Sequence, residues 1–348
     1  MTAPPGRLSP ASPPPSVPPP APSGQRRRGV FRYVAALVFA LVVAVFTVPD
    51  LLFGLDRRSP FAQLVSLRPW ILVGVAVLMV LLLIVSVFER RVLPFAAGVL
   101  VVFVVGGSLV LPRIVPDPVP QGGRPFTVLA FNTYEGSADV GELAALIEQH
   151  HPDVIALPEA GQRFADKLAP MVEPLGYTLH ASVGPHSRDV GGVTAVVSSQ
   201  LGDVQVRIGK ETSSFPYVEL SGGGLGDMRV TAFHSVAPVP GSVPDWQHDL
   251  GLLQQWCAGP TPAIVAGDFN ATLDHSVLRA GTAGCGDAGA QRGQGLEPTW
   301  GPTPRTRVFG PQIDHVFATD GIVAENFEVH DVTGSDHRAV LTTLRLPA

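Results

Sequence analysis

Residues Ile264–Thr272, IVAGDFNAT, decide how the rest of the chain is read. Ile264, Val265 and Ala266 form the short apolar run of a buried strand. Gly267 ends the run, and Asp268 and Asn270 follow it two positions apart. In extended backbone, side chains two apart point to the same side, so a carboxylate and a carboxamide leave the strand end together. Taken alone, Gly, Asp and Asn are equally the residues of a plain strand-to-turn joint. The recurrence of the pattern separates the two readings. Asn132 follows FTVLAF, Glu159 follows DVIALP and His234 follows RVTAF, while Asp314 lies in QIDHVFAT and Asp336 and His337 in GSDHRAV. One polar residue at a strand end is ordinary, but this many in one region imply a shared rim.

The segments between these points alternate in type. Phe126–Phe131 is expected as a strand, Asp139–His150 as a helix with Leu143, Leu146 and Ile147 on one face, and Asp153–Leu157 and Gly192–Ser198 as buried strands. Tyr217–Leu220 and Met228–His234 form a pair joined by the glycine-rich turn SGGGLGD. A helix is expected from Asp245, as its N-cap, to Trp256. A polar, glycine-rich stretch from Gly281 to Gly295 precedes two last strands, Ile313–Ala318 and Ala339–Leu346. The pattern is that of an α/β domain over residues 126–348.

The chain before it is different in kind. Residues 1–29, with PPPSVPPPAP at the centre, cannot bury a core and are expected to be a disordered, proline-rich cytoplasmic tail. Residues 30–111 hold three apolar runs, about 30–48, 69–88 and 92–111, and each matches the roughly 20 residues that cross ~30 Å of hydrocarbon as a helix. Residues 112–125, PRIVPDPVPQGGRP, are expected to be a stiff and then flexible linker. Arg7, Arg26, Arg27, Arg28 and Arg32 before the first run, with Arg90 and Arg91 between the second and third, outnumber Arg57, Arg58, Arg68, Arg113 and Arg124 on the other side. This bias puts the N-terminus in the cytoplasm of a multi-pass plasma-membrane protein and the α/β domain outside.

Charge divides the same way. Up to Pro120 there are 11 Lys+Arg against 4 Asp+Glu (+7); from Gln121 on there are 13 against 25 (−12), which sum to the net −5. An acidic domain has no broad electrostatic attraction for DNA or RNA, so nucleic acid is not the favoured partner. Cys257 and Cys285 lack a zinc-type neighbour at ligand spacing. They are expected as two buried thiols, or as a disulfide if the domain lies outside the cytoplasm.

In order, LAFNTY, ALPEA, AFHSVAP, VAGDFNAT, QIDHVFA and GSDHRAV resemble the endonuclease/exonuclease/phosphatase superfamily, which includes DNase I, apurinic endonucleases, neutral sphingomyelinases and inositol polyphosphate phosphatases. The matching pieces span Phe126 to Leu346. Pro158 departs from the pattern, where many members carry Gln. The chain also resembles three-span bacterial members, including those associated with glycopeptide-antibiotic resistance. The resemblance implies a four-layer α/β sandwich preceded by three transmembrane helices, a divalent cation (Mg²⁺, with Mn²⁺ as a substitute) and hydrolysis of phosphate esters.

The residue types suit that chemistry. A phosphate ester is an anion, so attack on it needs charge neutralisation and an aligned water. Hard oxygen ligands suit Mg²⁺, for which Glu159 is the first choice, with Asn132 and Asp336 near the same ion. His337 oriented by Asp314 forms a dyad at the phosphate, and Asp268 competes with His337 as general base. Asn270 positions a phosphoryl oxygen or the water, and His234 donates to the phosphate or the leaving oxygen. His315 is expected to face away and be structural, and His180, His186, His248, His275 and His330 to be surface or packing residues. Pro298-Thr299-Trp300 resembles a family loop at the rim, with plain packing as the other reading of Trp300. Arg305 and Arg307 are either phosphate contacts or solvated charges. Three functions remain at this point: a membrane-anchored phosphohydrolase acting outside the cytoplasm on lipid-linked phosphates or pyrophosphates, a tethered extracellular nuclease, and a non-catalytic binding module.

Overall fold

The computed structural model describes residues 23–119, 121–303 and 305–347. Residues 1–22 of the expected disordered tail lie outside the described residues, and its remainder, 23–29, is helical, the start of α1. Four helices come first: α1 (Ser23–Thr47), the single turn α2 (Phe61–Leu64), α3 (Arg68–Phe88) and α4 (Leu93–Val110). Three helical stretches here are long and apolar enough to cross a membrane. The helices approach closely through small residues. A Cβ on Gly98 of α4 would stand 2.8 Å from that of Ala40 on α1, the close contact that glycine permits between apolar helices.

Thirteen strands follow among the described residues: β1 (Arg124–Ala130), β2 (Val154–Pro158), β3 (Tyr177–Ala181), β4 (Val193–Ser198), β5 (Gln205–Gly209), β6 (Tyr217–Ser221), β7 (Arg229–His234), β8 (Ala263–Asp268), β9 (Cys285–Asp287), β10 (Asp314–Thr319), β11 (Val323–Ala324), β12 (Glu328–Asp331) and β13 (Arg338–Leu346). They form two sheets, ordered β11-β13-β1-β2-β4-β3, with β12 also on β13, and β5-β6-β7-β8-β10-β9. The helices between them are α5 (Val140–His150), α6 (Gln162–Val172), α7 (Val243–Gly251), α8 (Gln254–Cys257), α9 (Ser276–Gly281) and α10 (Ala288–Gln291).

Alternation along the strands builds the layers. Val128, Ala130, Val154 and Ala156 of the first sheet meet Val218, Val230, Ile264 and Val316 of the second in one apolar core. The opposite faces bury Leu129 and Ile155 under Leu143, Ile147, Phe164 and Leu168 of α5 and α6, and Phe233 and Val265 under Trp246, Leu250 and Leu278 of α7 and α9. Helix, sheet, sheet, helix is the four-layer sandwich that the sequence led us to expect.

Several local expectations need correction. The helix expected from Asp245 to Trp256 starts at Val243, with Pro244 in its first turn, and breaks after Gly251 before resuming as α8. Asp245 sits inside the first turn, where its charge suits the helix dipole, and is not the N-cap. The polar stretch 281–295 contains β9 and α10. Of the two states expected for Cys257 and Cys285, the structure has the disulfide, 28 residues apart; closing a loop of that size is worth about 3.5 kcal/mol in the chain-entropy picture.

The largest correction concerns residues 112–125. Their first half is fastened to the α/β domain: Arg113 Nη2 donates to Leu273 O at 2.9 Å and meets Asp274 Oδ1 at 2.8 Å, Gly295 N donates to Arg113 O at 3.0 Å, and Asp117 N donates to Gln291 O at 2.9 Å. The loop between α1 and α3 docks on the same face. Fully buried Arg68 meets Asp274 Oδ1 at 2.8 Å and also Asp50, which Arg279 reaches at 2.7 Å. His275 Nε2 pairs with Ala62 O at 2.8 Å, and Ala62 itself belongs to the core beneath α7 and α9. Burying Arg68, Arg113, Asp50 and Asp274 is tolerable only because each meets an opposite charge.

Candidate active site

The strand registers explain why distant residues share one rim. β1 runs parallel to β2, and β7 to β8, so Asn132, Glu159, His234, Asp268 and Asn270 all emerge at C-terminal strand ends on the same edge. β10 and β13 run antiparallel to these, with Asp314 opposite Asp268 and Val340 opposite Ala130. Their N-terminal starts, carrying Asp314 and His337, therefore arrive at that edge too. Gly267 makes the approach feasible. Its φ is +145°, and a Cβ there would collide with the carbonyl oxygen of Phe233 on β7.

Seven of the eight expected residues join one hydrogen-bonded and ionic network, and the eighth, His234, stands against it. Asn132 Nδ2 donates to Glu159 Oε1 at 3.0 Å and to Asp268 Oδ2 at 2.9 Å, while its Oδ1 accepts from Tyr134 N at 2.9 Å. Glu159 Oε2 accepts from Glu135 N at 2.7 Å. Asp268 Oδ1 accepts from Asn270 N at 2.8 Å, and Asn270 Nδ2 donates to Ser235 O at 3.0 Å. His337 Nδ1 pairs with Asp314 Oδ2 at 2.9 Å, leaving its Nε2 3.7 Å from Asp268 Oδ2 and 3.9 Å from Asp336 Oδ1. His234 Nε2 lies 3.6 Å from Asp268 Oδ2. Glu159 and Asn270 hold φ of +57° and +46°, conformations that side-chain-bearing residues seldom adopt and that cluster at functional sites.

Burial and neighbouring charge tune these groups. Burial pushes Asp268 up to about 7, with the charge of His337 opposing and that of Asp314 assisting. For His337, burial opposes the charged form, but the carboxylates of Asp314 and Asp268 outweigh it and raise the group to about 9. Burial, then the charge on His337, lowers His234 to about 3, so it is neutral. Glu159 is raised by burial and, more weakly, by Asp336, against hydrogen bonds from Asn132 and the Glu135 amide.

These carboxylates fit a cation. Asp336 Oδ1 and Asp314 Oδ1 are buried without a hydrogen-bond partner, and the charge of Asp336 helps to raise Glu159, a like-charge conflict that a bound cation relieves. Asp268, Asp314 and His337 also offer atoms within 4.8 Å of one another.

The structure adds residues that sequence reasoning passed over or left open. Trp300 Nε1 donates to Asp336 Oδ2 at 3.0 Å, and its backbone bridges His337; the rim reading of that loop is the right one. Thr299 Oγ1 accepts from both Ile313 N and Asp314 N, at 3.0 and 3.1 Å, fixing the start of β10. Phe215 stacks on His234 with centroids 4.1 Å apart, a contact with no local signal in the sequence. His315 faces away, bound to Asp287 Oδ2 at 2.8 Å and Ala271 O at 3.0 Å. Arg307 is buried against Asp331 at 2.6 Å and Ser335 O at 2.9 Å, a structural role, neither a phosphate contact nor a solvated charge.

A sequence profile of the Endonuclease/Exonuclease/phosphatase family matches residues 129–337, well over half of the chain. The chain belongs to this family. No match was found among curated protein sequences. Among solved structures, a humanized D. rerio TDP2 is similar at 14% identity, covering 64% of this chain and 99% of that one, with a TM-score of 0.50. An endonuclease/exonuclease/phosphatase family protein from Leptotrichia buccalis is similar at 15% identity, covering 64% and 100%, also with a TM-score of 0.50. The mannosyl-6-phosphatase Bt3783 of Bacteroides thetaiotaomicron gives 14%, 63% and 99%, with 0.47. As a member of the endonuclease/exonuclease/phosphatase family, the protein is a phosphoester hydrolase of a class that depends on divalent metal.

Proposed function

We propose that this family member is a membrane-anchored, Mg²⁺-dependent phosphohydrolase, with its active site outside the cytoplasm, acting on lipid-linked phosphates or pyrophosphates. The observation that carries this reading is the docking of the α1–α3 loop and the α4 exit onto the α/β domain through Arg68, Arg113 and Asp274. A domain held against the ends of three apolar helices works at a lipid surface. The disulfide supports an oxidising compartment for it, and the acidic balance of the domain gives no reason to favour a nuclease.

Glu159 and Asp336 would hold the cation, with the free lone pair of Asn132 Oδ1 beside them. When bound, the ion neutralises phosphoryl charge and helps align the scissile bond. The protein's own groups do the rest. Asp268, on which Asn132, Asn270, His234 and His337 converge, is placed to accept a proton from the attacking water. His337, fixed through Nδ1 by Asp314, presents a protonated Nε2 to developing charge on the phosphoryl oxygens. Neutral His234, clamped by Phe215, offers a hydrogen bond to the phosphate or the leaving oxygen. The test is hydrolysis by the purified full-length chain in detergent with Mg²⁺, offered polyprenyl pyrophosphate, phosphoinositides, sphingomyelin and plasmid DNA. Phosphate release from the polyprenyl substrate is expected; plasmid nicking with no lipid hydrolysis would assign the tethered nuclease.

A further inference from the structure

A cleft of about 350 Å³ opens directly beside the active site, with Asn270, Trp300, Leu67, Val239 and Ile313 in its lining. No charged side chain lines it. Its two amides are already engaged, Gln63 with Pro238 O and Asn270 with Ser235 O, so the cleft offers almost nothing to a polar ligand. Val239 is nonetheless 53% exposed and Leu67 39%, an apolar surface left open at the edge of a site built for an anion. A second cleft of about 300 Å³ adjoins the first, sharing Ser66 and Pro311 with it. That one is lined mainly by apolar groups, among them Trp70 and Val73 of α3 with Leu296 and Val308, and its two charged residues, Arg113 and Asp274, are paired with each other at 2.8 Å. Trp70, whose Nε1 donates to Phe309 O at 3.0 Å, stands at the start of an apolar helix, where an aromatic ring with one polar tip suits a membrane–water boundary. The two clefts therefore trace an apolar path from the outward face of α3 to Asn270.

We infer that this path holds the hydrocarbon chain of the substrate, which makes the substrate a phosphate or pyrophosphate ester of a long-chain alcohol, with Leu67, Val239 and Ile313 setting chain preference. The inference rests on the lipid-phosphate reading above and locates the part of the molecule that the metal and proton-transfer groups do not contact. A chain rising beside α3 would meet Trp70 and Val73 first and then Leu67, which delivers the phosphate at the chain's end to His337 and Asp268. Each methylene buried there would tighten binding roughly fourfold. A sugar phosphate or a nucleic acid would leave the cleft filled only with water.

Two measurements on the full-length chain in detergent test this. A C15 alkyl pyrophosphate bearing a diazirine at mid-chain, photolysed on the protein and mapped by mass spectrometry, should label the peptides around residues 63–67, 237–239 and 311–313. Labelling confined to the remaining length of α1, α3 and α4, or scattered over the surface, overturns the assignment. Separately, Val239→Glu and Leu67→Glu, each at an exposed position, should lower the ratio of kcat/KM for farnesyl pyrophosphate to that for isopentenyl pyrophosphate at least tenfold. An unchanged ratio overturns it as well. The labelling does not require turnover, so the two ideas fail separately. Labelled cleft peptides in an enzyme that hydrolyses no lipid would retain the cleft and remove the proposed activity; lipid hydrolysis with labelling elsewhere would do the reverse.

Discussion

Replacing Glu159 with Gln keeps its shape while removing one of the two charges proposed to hold the cation; its single acceptor oxygen can keep only one of the two hydrogen bonds, from Asn132 or from the Glu135 amide. Turnover should fall roughly a hundredfold or more, with an unchanged circular-dichroism spectrum and a weaker response in a Mg²⁺ titration; near-normal turnover at the same Mg²⁺ demand would refute the ligand assignment. The dyad permits a sharper test. Asp314→Asn removes the charge that orients and protonates His337, so it should cost nearly as much as His337→Ala, and the double variant should be little worse than either. Losses that multiply would show the two groups acting separately. At this scale the sequence was most legible, because each functional side chain stands at the end of an apolar run that identifies it. Phe215 was not, since its role depends on a partner 19 positions away (His234), and Trp300 was legible only as one of two readings, which its bond to Asp336, 36 positions away, decides.

The β9–β10 pair carries a pH dependence of its own. His315, on β10, is buried against Asp287 of β9; burial opposes its charge, but the Asp287 carboxylate prevails and the group is raised above its usual value. A raised histidine contributes stability that is fully present below its unfolded value, about 6.5, and that is lost as pH rises through the higher folded one. Urea unfolding of wild type and Asp287→Asn should therefore differ most below pH 6.5 and converge as pH rises. A difference that stays constant with pH would remove the ion pair from the account. Long, regular elements such as β1, α5 and β13 are legible from periodicity alone, whereas β9, β11 and β12 have two to four residues, too few to show a period. α6 was hidden by Pro170 inside it; α7 was expected, but its true start was not, since it owes more to Pro244 than to a capping side chain.

In the whole molecule, the two parts depend on each other through Asp274. In the full chain, Asp274→Ala takes the carboxylate from buried Arg113 and leaves Arg68 with Asp50 alone, and should cost about 3–5 kcal/mol, read as a lower thermal midpoint. In a fragment beginning at Gln121 the same carboxylate has lost Arg68 and Arg113, so the substitution should be neutral or stabilising there; an equal loss in both would show that the network does not join the parts. The proposed orientation is checked by fusing alkaline phosphatase or a cytoplasmic reporter after Pro125, and only the phosphatase should be active. None of this docking was legible in advance. Arg68 and Arg113 were read as markers of membrane orientation, and His275 as packing, because a contact between residues 206 positions apart leaves no local trace. That separation has a consequence for synthesis. Asp50 and Arg68 leave the ribosome long before Asp274 exists, so the helices must settle with only that first ion pair formed. The sandwich then completes on a seat already in place, and a chain truncated before residue 274 leaves the seat empty, marked by an unsheltered arginine that quality-control proteases can reach.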